Sequence, residues 1–370
     1  MVSGRLTRVL VVLPGLERGG AETYVARVSP RLLNLGVEVE ICALDASGPL
    51  AGQLEAAGIR VHGTSYPERG HGSNTAALLR TVGDLRRLLV QRRFDLVHSY
   101  LYWPDVLSAA AGRLAGRRVI VSRRAIHSWR HPRSALLHGL EAASNLVADQ
   151  LIANSRAVLR DAEANERFLP RRRAVVYNGV EPGDYLPARP GTSGGLRIVT
   201  VGALSPRKGQ EFAIQALASL PAALGASLRL VGTGPDESRL RELAKELRVG
   251  ESVEFVGERA DPRPELAGAD LFLLPSRQEG FSNALLEAMA SGLPVVATDV
   301  GGNAEALVDG EGGRIVPPEN APEIAAAIEQ LASDPSGLAP IGAANRRRVE
   351  AHFTLDASAA QLAERYLARR

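Results

Sequence analysis

The chain has one cysteine, Cys42, in 370 residues, so no disulfide can form within it and a reducing compartment suits it. It has two lysines, Lys208 and Lys245, so arginine supplies nearly all the positive charge. No apolar run approaches the ~20 residues that a membrane-spanning helix needs. Aromatic residues make up 4% of the chain and are not interleaved with a basic stretch, which argues against a nucleic-acid partner. The glycines Gly19 and Gly20 lack the G-x-G-x-x-G spacing of a dinucleotide site, which argues against an oxidoreductase. Arg5 and Arg8 before the apolar run Val9 to Leu13 imitate a signal peptide, but the run is short and lacks a small-residue cleavage site. It reads as a first strand, and the expected location is cytoplasmic.

What the chain does have is alternation. The length favours two domains, and 45% apolar with 23% charged residues is ordinary for a globular protein. Expected strands at 8–13, 37–44, 59–62, 94–98, 118–122, 150–154 and 174–177 alternate with helices at 21–35, 50–58, 74–92, 104–115 and 133–147, and with one after Ser155. The stretch Leu186 to Gly195, LPARPGTSGG, has the composition of a linker. Alternation then restarts with strands at 197–201, 227–231, 252–256, 271–274 and 294–298. The expected domains are 1–188 and 189–354, with a terminal helix over 355–370. Both halves read as doubly wound α/β folds.

Two stretches carry chemistry. The first follows the strand Leu271 to Leu274: a loop with Glu279, Gly280, Phe281 and Ser282, then a helix from Asn283 containing Glu287. Ser282 suits an N-cap, Gly292 a left-handed helix end, and Pro294 forbids continuation. Such a loop lies at a strand's carboxyl end, where open α/β sheets bind ligands, and the helix start offers free N–H groups to a phosphate. The second stretch, Val201 to Gly209, places Arg207 and Lys208 after a strand and before a helix, where two cations can hold a diphosphate. Gly19–Gly20, at the head of a helix after strand one, lets backbone amides approach a ligand.

The words PS-x-x-EGFSNALLEAMA-x-GLPVVATDVGGNAE, with Glu279 and Glu287 as the E-x7-E pair, resemble the signature of retaining, nucleotide-sugar-dependent glycosyltransferases of family four. The GGAE loop at Gly19 to Glu22 and the Asn178-Gly179-Val180 word resemble the same family. The resemblance implies the GT-B fold, two Rossmann-like domains facing an interdomain cleft, the final helix crossing back to the first domain. It implies transfer of a sugar, with retention, from a nucleotide-diphosphate sugar to a glycan, lipid-linked or small-molecule acceptor. Arg207, Lys208, Glu279 and His127 then take catalytic places. Gly19, Gly20, Arg259, Phe281, Ser282, Asn283 and Glu287 take donor-binding ones. The family's usual arginine after the first glycine of the clamp is Ala203 here, and Arg207 is the candidate to replace it.

No cofactor is expected beyond the co-substrate. No D-x-D pair occurs, and His127 and His131 have no carboxylate or cysteine at ligand spacing, so no metal is expected. Rival readings are an epimerase, a phosphorylase with a cofactor lysine, or a non-catalytic nucleotide-sugar-binding regulator. Residues 1–189 carry 26 basic against 17 acidic side chains (+9), and residues 190–370 carry 18 against 24 (−6). A basic first half fits peripheral contact with an anionic membrane, or plain arginine usage. Helix 133–147, with Leu136, Leu137 and Leu140, reads either as membrane-resting or as a core-facing stripe with a solvated basic edge.

Overall fold

A computed structural model describes residues 6–67, 75–126, 135–188 and 194–368. The chain forms two compact units, one of residues 1–178 with 355–370 and one of residues 179–354. The division falls at Asn178/Gly179, ahead of the Pro- and Gly-rich stretch. Residues 179–188 join the second unit through a Val180–Thr354 bridge and an Ala188 N–H bond to the Ser291 carbonyl (2.7 Å).

In the first unit the strands are β1 (Thr7–Leu13), β2 (Val37–Ala43), β3 (Val61–His62), β4 (Leu96–Tyr100), β5 (Arg118–Arg123), β6 (Gln150–Ala153) and β7 (Arg172–Val175). They pair in the order β3-β2-β1-β4-β5-β6-β7, every pair parallel. The direction of winding reverses between β1 and β4, which makes that pair the switch point. Along β1, Val9, Val11 and Leu13 enter one core layer while Leu10 and Val12 enter the other. A strand covered on both faces needs apolar side chains at every position, which is why TRVLVVL lacks a two-residue alternation.

Helix α1 (Gly20–Leu33) covers one face together with the last helix of the chain, Leu355–Leu367, whose Leu355, Ala359, Leu362 and Tyr366 complete that core. Buried polar bonds fix the last helix: His98 Nδ1 to Tyr366 Oη (2.6 Å), Tyr24 Oη to Ser358 Oγ (2.7 Å), and Arg118 donating to the Tyr366 carbonyl (3.1 Å) and to those of Arg365 and Ala368.

Three expectations shift on contact with the structure. Strand β4 starts at Leu96 because Arg93 is left-handed (φ 54°) and the Phe94 N–H closes the preceding helix on the Leu89 carbonyl. Strand β7 takes in Arg172 and Arg173, since register with Gln150–Ala153 fixes its place and an edge strand tolerates charge. The third is the helix Ala135–Val147, where the reading as a core-facing leucine stripe fails: Leu136 and Leu146 are exposed, and Leu137 and Leu140 only half-buried. Its buried residues are Glu141, Ser144 and Asn145.

The second unit repeats the winding with β8 (Arg197–Val201), β9 (Ser227–Val231), β10 (Val253–Gly257), β11 (Leu271–Leu274), β12 (Val295–Thr298) and β13 (Gly313–Val316), in the order β10-β9-β8-β11-β12-β13, all parallel. Its switch point is β8/β11. No helix among the described residues is long and apolar enough to cross a membrane.

Candidate functional site

The loops that leave β8 and β11 meet at the switch point of the second sheet. After β8 the chain passes Gly202 (φ 151°) and forms a 3-10 turn, Pro206–Lys208, closed by Gly209 in the left-handed region (φ 64°). A Cβ on Gly209 would lie 2.2 Å from the Pro275 carbonyl oxygen, so glycine lets this turn lie against the β11 loop. The Arg277 N–H bonds the Arg207 carbonyl (2.9 Å), and Arg277 Nη1 reaches the Pro206 carbonyl (3.2 Å). The turn is thereby fastened from the β11 side.

This contact brings Lys208 Nζ to 2.6 Å from Glu279 Oε1 and Arg207 Nη1 to 3.5 Å from Oε2. Arg207 also donates to the Gln278 carbonyl (3.2 Å). The Ser276 hydroxyl donates to Glu279 Oε1 (2.8 Å), while Thr298 Oγ1, at the end of β12, donates to the Ser276 carbonyl (2.6 Å). On the far side Gly301 is left-handed (φ 55°), and a Cβ there would stand 2.1 Å from the Glu279 carbonyl oxygen. Glu279 is only 7% exposed. Burial alone would raise its carboxyl pKa, but the charges of Lys208 and then Arg207, with hydrogen bonds from Lys208 and Ser276, hold it below the ordinary carboxylate range. The result is an ionised carboxylate locked to two cations.

The helix Asn283–Ala290 starts directly after this loop, with Ser282 as N-cap accepting from the Leu285 N–H (3.3 Å). The Ser282 hydroxyl is thus engaged in the cap. The Phe281 ring is buried against Phe353, centroids 5.5 Å apart, so it anchors the loop in the core. Glu287 is buried within the helix, and Asn283 is half-buried at its start. Arg207, Lys208 and Glu279 therefore meet at the carboxyl edge of one sheet, while Phe281, Ser282, Asn283 and Glu287 follow on the same β11 loop and its helix. Arg259 lies at the same edge after β10, exposed and paired with Glu265 (3.4 Å). It stands three strand spacings from β11, about 14 Å.

The remaining candidates belong to the first unit. Gly19 is the N-cap of α1, and the Glu22 carboxylate folds back to within 2.2 Å of where a Cβ on it would stand. Gly20 opens the helix. His127 lies outside the described residues. Arg124, which the sequence reading passed over, stacks on Tyr24 (4.4 Å) and Tyr100 (5.5 Å) and donates to Asn178 Oδ1. Ser276, Arg277 and Thr298 were also missed. Ser276 and Thr298 stand inside the motif, but only the fold shows that they brace Glu279.

The chain is similar to known proteins along most of its length. A family described as Glycosyltransferase Family 4 matches residues 18–184, and one described as Glycosyl transferases group 1 matches residues 195–334. D-inositol 3-phosphate glycosyltransferase 2 of Catenulispora acidiphila is 32% identical over 95% of this chain and 90% of its own length. Among solved structures, Anabaena HepE in complex with UDP and glucose aligns with TM-score 0.84 and 25% identity, covering 97% of this chain and 99% of that one. Sucrose-phosphate synthase from Thermosynechococcus elongatus shares the fold, with TM-score 0.81 and 22% identity over 97% of this chain and 98% of that one.

Proposed function

From the premise that this chain belongs to glycosyltransferase family 4 and is a glycosyltransferase with the GT-B fold, we propose that its second unit binds a nucleoside diphosphate sugar at the Lys208–Glu279 pair. The observation that carries this reading is the 2.6 Å contact of Lys208 Nζ with a buried carboxylate at the switch point of a parallel sheet. Breaking the bond from sugar C1 to the diphosphate leaves negative charge on the departing phosphate oxygen. Lys208 and Arg207, already fixed in place, stabilise that charge as it develops, with little rearrangement. Glu279 holds the two cations before the donor arrives and accepts hydrogen bonds from donor-sugar hydroxyls when it is bound. Glu287, as an ionised acceptor, grips the ribose diol. Backbone N–H groups at Phe281, Ser282 and Asn283 steady the phosphate, and the backbone near Arg259 meets the base.

HepE was solved with UDP, which makes uracil the first base to test here. The same reading assigns retention of anomeric configuration, with front-face attack assisted by the leaving phosphate. A thermal-shift panel of UDP-, GDP-, ADP- and TDP-sugars tests the donor site: one base class stabilises the protein, and Glu287→Ala weakens that response. Equal indifference to every donor overturns the assignment. Because Arg207 and Lys208 already supply positive charge, turnover is expected to survive a chelator. Complete loss in EDTA, restored by magnesium or manganese, would give the charge-stabilising part to a metal.

A further inference from the structure

Helix Ala135–Val147 is built inside out. Leu136 is 72% exposed and Leu146 67%, while Glu141, Ser144 and Asn145 are buried. The cause lies beneath it. Arg123, 1% exposed, ends β5 under this helix and must be neutralised. It pairs with Asp105 (2.6 Å), Glu166 (2.8 Å) and Glu141 (3.7 Å) and donates to Asn145 Oδ1 (2.7 Å). Turning Glu141 and Asn145 inward forces the opposite stripe outward. Leu136, Leu140, Ala143 and Leu146 follow helical spacing along that stripe for about 15 Å.

A second exposed apolar group stands beside it. Asn145 Nδ2 bonds the Arg167 carbonyl (3.1 Å), which sets the next residue, Phe168, alongside the Leu146 end of the helix. Phe168 is 62% exposed and left-handed (φ 58°), a conformation uncommon for a bulky residue. Around it Arg167, Arg171, Arg172 and Arg173 are exposed, Arg173 being paired with Glu163 (3.3 Å). The acidic side chain of the helix itself, Glu141, is turned inward to Arg123.

We propose that this face of the first unit seats on an anionic lipid bilayer, with Leu136, Leu146 and Phe168 entering the headgroup boundary and the 167–173 arginines meeting lipid phosphates. An apolar stripe flanked by arginines is the composition that interfacial binding requires, and the charge chooses an anionic surface over a neutral one. The test is co-sedimentation of the full chain with phosphatidylcholine vesicles, with and without phosphatidylglycerol, at low and high salt. Anionic vesicles are expected to bind at least about tenfold more tightly than neutral ones, with partial release in salt. Leu146→Asp and Phe168→Asp should abolish that preference while leaving melting temperature and donor-induced thermal shift intact.

Absence of anionic preference, or its persistence in both variants, overturns the proposal. So does concentration-dependent dimerisation that both variants abolish without any vesicle binding, because the face would then belong to a second copy. Vesicle binding with no response to any nucleotide sugar would strike the donor assignment alone.

Discussion

Glu279 is the residue on which the second unit's site turns, because a carboxylate this buried is tolerable only while Lys208, Arg207 and Ser276 surround it. Glu279→Gln keeps the shape and removes the charge, and is expected to lower turnover by about tenfold or more. Glu287→Ala should act chiefly on donor affinity, by roughly 1.5–3 kcal/mol. Steady-state kinetics with a donor titration separate the two, and unchanged constants in both variants would remove the pair from the site. The folded-state pKa of Glu279 is depressed, so its ion pairs contribute stability above the ordinary carboxylate range and lose it as pH falls through the lowered value. Melting curves at falling pH should therefore drop faster for the wild type than for Glu279→Gln.

At the scale of elements, the glycines that let loops touch set the geometry. Gly209→Ala and Gly301→Ala each combine a left-handed backbone with a Cβ about 2 Å from a carbonyl oxygen. Each is expected to cost more than about 2 kcal/mol and to reduce turnover by shifting the loops that carry Lys208 and Glu279. Urea denaturation with a parallel activity assay checks both effects. The strand-and-helix order was legible because buried parallel strands write themselves as apolar runs and Ser282 and Gly292 mark one helix by their own chemistry. The Glu279 brace was half legible: the motif held its residues, but which atoms meet depends on two loops far apart in sequence. Helix Ala135–Val147 stayed ambiguous because a stripe of leucines normally faces inward. Nothing local to Arg123 signals that it is fully buried and claims the helix's polar side.

At the scale of the whole molecule, the last helix is held to the first unit by His98, whose pKa burial lowers to about 3, with Arg124 and Arg118 acting the same way. A histidine kept neutral when folded and free to protonate when unfolded lends stability that is complete above about 6.5 and declines as pH falls toward 3. His98→Asn should flatten that decline, visible as a melting-temperature difference from wild type that shrinks with acidification; an unchanged slope would free His98 of the role. The same helix has a consequence for synthesis. The first unit is encoded in two separated pieces, 1–178 and 355–370, whereas the second is continuous. A ribosome therefore releases the seven-stranded sheet while Leu355, Leu362 and Tyr366, which close its core, are still unmade. The earlier sheet must wait, partly uncovered, until Leu355–Leu367 has been made.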